Sequence, residues 1–85
     1  MRIETRREIL NLSQSIFDDE RHNKIIKLLG ENQYNELRVF VADEFELLEA
    51  LFTLDKENEI LKAQIDFCDK LEDVILDFFV EEVVH

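Results

Sequence analysis

Acidic residues recur in the last third of the chain at a spacing typical of one side of a helix. Glu59, Asp66, Asp69, Asp73 and Asp77 are separated by seven, three, four and four positions. Residues at these separations share a helical face, so the pattern predicts an acidic stripe. Since helical turns repeat about every 5.4 Å, the stripe would present charge on the scale of a phosphate backbone. It is either a surface for a basic partner or the solvated face of an amphipathic helix.

The chain contains one Asp-x-x-His spacing, formed by Asp19 and His22. Helical di-metal sites need carboxylate–histidine pairs from two helices, together with further glutamates directed inward. The other histidine is His85, the last residue of the sequence. We therefore expect no metal site, and we interpret the acidic residues before His22 as helix-capping groups.

Cys68 is the single cysteine and lies on the apolar face of the predicted fourth helix. A free cysteine in that setting behaves as a small buried hydrophobe, whereas a nucleophilic cysteine needs a base and a positive environment. The neighbouring Asp66 and Asp69 instead predict a raised pKa for the Cys68 thiol. Because the sequence also lacks a glycine-rich phosphate loop and a cysteine pair for zinc, we expect a non-enzymatic protein without a cofactor.

The net charge of −11 is concentrated in one half of the chain. Residues 1–42 contain equal numbers of basic and acidic residues, whereas residues 43–85 contain three basic and fourteen acidic residues. Two modest basic groups are diluted by adjacent acids: Arg2, Arg6 and Arg7, and then Arg21, Lys24 and Lys27. Direct nucleic-acid binding is not expected, because it requires a strongly basic face. Arg6, Arg7 or Lys24 at a subunit interface could instead hold a small anionic ligand.

The composition predicts one small helical domain over residues 1–85. The sequence has no proline and a single glycine, which favours helices joined by very short turns. Its apolar runs, such as Phe78–Val80, are far shorter than the roughly 20 residues that span a bilayer. With one cysteine and no signal-peptide pattern, we expect a cytoplasmic protein that does not associate with a membrane.

Two helices are predicted in the first half of the chain. The first covers Thr5–Phe17, and the second runs from a cap at Asp18 or Asp19 to Leu29. Gly30 is expected to end the second helix in a left-handed conformation. A single kinked helix over Thr5–Leu29 is the alternative.

Two longer helices are predicted in the second half. The third covers Asn32–Leu54, and the fourth follows a cap at Asp55, with Asn58 as the alternative cap. Leu47–Glu59 is then predicted to be an antiparallel hairpin of the two long helices with a tight turn at Leu54-Asp55-Lys56, and the acidic hairpin as a whole covers Asp43–Glu82.

The apolar faces of this hairpin exceed what two short helices can cover. The broad face of the third helix is Tyr34, Leu37, Phe40, Val41, Leu47, Leu48, Leu51 and Leu54. A C-terminal group adds Phe78, Phe79, Val80, Val83 and Val84. Burial of further apolar area favours association, so we expect a homodimer. Phe45 and Phe67 lie off the main stripes of their helices and are candidates for exposure at an interface.

The hairpin resembles that of the Rop family of plasmid RNA-binding proteins, through Leu47-Leu48-Glu49, Leu51, Leu54-Asp55 and Glu57. The resemblance implies a dimeric four-helix bundle and RNA binding. The acidic second half argues against RNA binding, so we take only the architecture from this resemblance.

The sequence thus predicts an interaction protein with an all-α fold of three or four helices. Its expected function is that of an acidic inhibitor or regulator that binds a basic surface of a partner protein. In style it resembles phage or mobile-element inhibitors that mimic nucleic acid. The alternatives are a structural or adaptor subunit that docks through its apolar helical face, and a binder of a small anionic ligand at an oligomer interface.

Overall fold

The computed structural model describes the backbone of residues 3–84 and the side chains of residues 4–77. The described part contains four helices: α1 (Ile3–Ile16), α2 (Asp19–Gly30), α3 (Tyr34–Leu54) and α4 (Glu59–Val84). No strand occurs within residues 3–84, so the predicted all-α class and small helical bundle are confirmed. The C-terminal apolar group from Phe78 to Val84 has its side chains outside the described residues.

The chain leaves helical geometry between α1 and α2, at Asp18. The φ of −67° and ψ of 165° at this residue are extended, and the preceding Phe17 is buried in the core. The prediction of two helices is confirmed, and the single kinked helix is wrong. Asp18 occupies the N-cap position without a side-chain hydrogen bond to the helix. Its Oδ1 instead lies 3.7 Å from Nε of Arg21.

The turn between α2 and α3 is closed by Asn32. Its N–H donates to the Leu29 carbonyl at 3.3 Å, and the Gln33 N–H donates to the Leu28 carbonyl at 2.9 Å. This is the Schellman arrangement, in which the residue after the helix adopts a left-handed conformation, and Asn32 has a φ of 57°. The predicted role of Gly30 was therefore wrong: it is the last residue of α2, and Asn32 has the positive φ because asparagine tolerates that conformation.

Asn58 caps α4. Its Oδ1 accepts hydrogen bonds from the backbone N–H groups of Ile60 and Leu61, both at 3.1 Å. The first expectation, a cap at Asp55, was wrong, and the alternative is confirmed. Asp55 lies one turn too early, because its carbonyl accepts from the Asn58 N–H at 3.2 Å and closes the connection between the helices.

The core lies where α1 and α2 cover α3 and α4. The most extensive helix–helix contact joins α3 to α4, while α1 packs on α4 and α2 packs on α3. Buried apolar side chains come from every helix and from the α1–α2 connection: Ile9, Phe17, Ile25, Leu28, Leu29, Tyr34, Leu37, Val41, Leu48, Phe67, Cys68, Leu71 and Ile75. Within the described residues, no helix is both long enough and apolar enough to cross a bilayer.

Two buried polar side chains connect the helices. The Ser13 hydroxyl and Nδ1 of His22 share a hydrogen bond of 2.9 Å between α1 and α2. Gln64 of α4 donates from Nε2 to the Ile16 carbonyl at 2.6 Å. Both contacts satisfy groups that would otherwise be costly to bury.

Candidate partner-binding surfaces

The predicted acidic stripe lies on the outer face of α4. All five of its residues are exposed: Glu59, Asp66, Asp69, Asp73 and Asp77. Because successive helical residues are turned by about 100°, the stripe is nearly opposite the buried side of the helix. That buried side consists of Gln64, Cys68, Leu71 and Ile75.

The stripe carries unneutralised charge. Among the side chains of residues 4–77, none of its five carboxylates takes part in an ion pair or hydrogen bond. Lys62 falls within the stripe by its spacing, and Lys70 falls at its edge. Nζ of Lys70 lies 3.9 Å from Oε1 of Glu8 on α1, and both side chains are largely exposed. The lysines therefore only dilute the negative potential.

The two phenylalanines expected at an interface are not free surface residues. Phe67 is only 3% exposed, and its ring lies edge-on to that of Phe17, with centroids 5.4 Å apart. The expectation for Phe67 was wrong, because α1 and the α1–α2 connection cover a second side of α4. Phe45 is partly buried and packs against the core.

Four of the eight exposed large apolar side chains among the described residues lie where α1 and α2 do not reach. No side chain of residues 49–63 is buried. We call Leu47, Leu51, Leu54 and Ile60 the distal patch. All four are exposed, and Leu54 is the extreme case at 86%. The sequence assigned the three leucines to the broad core face of the third helix, and the structure corrects that expectation.

Cys68 is buried in the core, as predicted. Burial raises the pKa of its thiol from 9.0 to about 12, and the carboxylates of Glu44 and Glu72 add to the shift, while Arg21 opposes it. The predicted direction is confirmed, but its expected causes, Asp66 and Asp69, point to solvent. A neutral buried thiol is a poor nucleophile.

An open cleft of about 450 Å³ between α2 and α3 contains Lys24, one of the candidate anion ligands. Arg21 in the same cleft has its Nε 3.3 Å from Oε2 of Glu44. That oxygen is buried and makes no well-aligned hydrogen bond, so the contact is mainly electrostatic. Asp18 and Glu20 also line the cleft. Three carboxylates therefore outnumber two cations, which disfavours an anion.

Arg6, another candidate anion ligand, is occupied within the chain. Its Nη2 donates to Oη of Tyr34 at 2.6 Å and also to Oδ1 of Asn32. The Tyr34 hydroxyl donates to the same Asn32 oxygen at 2.9 Å. These contacts tie α1 to the turn between α2 and α3, which is a structural role. Arg7 is exposed.

Sequence reasoning predicted uncovered apolar surface on the third and fourth helices but did not locate it at the distal patch. The predicted first and second helices were much shorter than the third and fourth, so part of the long pair had to stay uncovered. No protein-family model, curated protein or solved structure matches the chain. Its function is therefore inferred from these surfaces.

Proposed function

We propose that the protein is a non-enzymatic interaction module that binds a basic surface of a partner protein through the acidic stripe of α4. The observation that carries the proposal is the array of five exposed carboxylates without an ion-pair partner among the described side chains. The stripe covers eighteen helical steps from Glu59 to Asp77, or about 27 Å. This length matches a binding groove for several nucleotides more closely than a single-ligand site.

The charge exceeds what solubility requires. A net charge of magnitude about 2–8 keeps a small domain soluble, and the excess in a chain of −11 destabilises the compact state through self-repulsion. If the stripe binds a partner, the excess negative charge has a function that offsets this destabilisation. Since the negative groups repeat along one face, the function we propose is that of an inhibitor or regulator that occupies a nucleic-acid-binding surface.

The proposal is tested with purified basic nucleic-acid-binding proteins, titrated with the chain at about 50 mM and about 200 mM salt. Binding should compete with duplex DNA and weaken steeply with salt. Replacing Asp69, Asp73 and Asp77 by Asn should slow association at least about tenfold and flatten the salt dependence.

A matched control removes the same number of charges elsewhere. Glu31→Gln, Glu36→Gln and Asp43→Asn change three exposed residues at the end of α2 and on α3. This control variant should lose only the small contribution that the three removed charges make to the association rate at long range. Equal association rates for the two triple variants would show that the stripe is not the binding surface. Failure of the chain to compete with DNA for any of the proteins would contradict the proposed mimicry of nucleic acid.

A second candidate function is a structural or adaptor subunit that docks through its apolar surface. The exposed distal patch supports it, because large apolar side chains left exposed on a folded domain can mark an interaction site. Salt separates the two functions, since apolar docking should change little between about 50 mM and about 200 mM salt.

A further inference from the structure

We draw no further inference here: the strongest candidate, the distal patch of exposed apolar side chains at the open end of the α3–α4 pair, carries nothing beyond the second candidate function, because nothing in the structure shows what covers it.

Discussion

The two ends of the α3–α4 pair have similar apolar sequences but different burial. Leu48, beneath the helices of the first half, is completely buried, whereas Leu51, one turn further along α3, is 42% exposed. On α4, Phe67 and Leu71 are buried, while Ile60 is exposed. The apolar pattern continues through both ends, so the pattern alone does not decide what enters the core.

Helix length explains the difference. α1 and α2 have 14 and 12 residues, whereas α3 and α4 have 21 and 26. At about 1.5 Å per residue, α1 is roughly 10 Å shorter than α3. The first two helices therefore cover only part of the pair, and the end that they leave open holds the distal patch. Where an intramolecular cover ends, an amphipathic helix becomes an interaction surface.

The largest expected effect is a matched pair of leucine truncations at the boundary between the two ends. Leu48→Ala should lower the free energy of unfolding by about 2–5 kcal/mol, because it leaves a cavity in the core. Leu51→Ala should lower it by about 1 kcal/mol or less, because that side chain is already partly solvated. Urea denaturation measures both values. Similar losses for the two variants would contradict the division of the molecule into covered and open ends.

The next largest effect is expected at the covered end, where Cys68 should make the free energy of unfolding depend on pH. Burial raises the pKa of Cys68 from 9.0 to about 12. The folded state therefore keeps the thiol neutral while the unfolded state ionises, so stability is full below pH 9 and falls as the pH rises from 9 toward 12. The slope should approach about 1.4 kcal/mol per pH unit. Cys68→Ala, which cannot ionise, should lose this slope relative to the wild type in parallel urea titrations at each pH.

Rapid reaction of Cys68 with a thiol reagent would contradict its placement in the core. The native protein should react with a thiol reagent only through unfolding, since the side chain is buried and neutral. Labelling rates equal to those of the denatured chain would place Cys68 at the surface.

The sequence was sufficient to predict the structural elements that depend on local patterns. Four helices, the break near Asp18 and the buried Cys68 follow from apolar spacing and capping residues. The turn details were harder: Gly30 was the natural candidate for a positive φ, yet the helix includes it and Asn32 has that conformation. Both residues permit the motif, so the choice depends on the length of α2.

Properties that depend on tertiary packing could not be predicted. Phe67 lies off the central stripe of α4, and only the position of Phe17 shows that this side is buried. The acidic stripe was predicted to be a single exposed face, and that geometry is present because it depends on helical periodicity alone. Its binding role depends on a partner, which no helical pattern specifies.

A smaller effect is expected at the turn of the open end. Asn58→Ala should cost about 1 kcal/mol, because the Asn58 side chain accepts from two N–H groups at the start of α4. Asp55→Ala should cost less than about 0.5 kcal/mol, since its carboxylate contacts only the exposed amide of Asn58. Thermal and urea denaturation would rank the two variants. If Asp55→Ala cost more stability than Asn58→Ala, Asp55 rather than Asn58 would be the N-cap of α4.

The smallest effect is expected at Leu54, the last residue of α3. Its side chain is almost fully solvated, so replacement by lysine removes little burial. The C-terminus of a helix carries a partial negative charge, and a cation there stabilises by about 0.3–1 kcal/mol. The last turn of α3 contains no basic residue, so Leu54→Lys should leave the free energy of unfolding, measured by urea denaturation, unchanged or raise it slightly. A loss above about 1 kcal/mol would mean that the chain itself covers this leucine. The open end would then be part of the fold, and the distal patch would not be available to a partner.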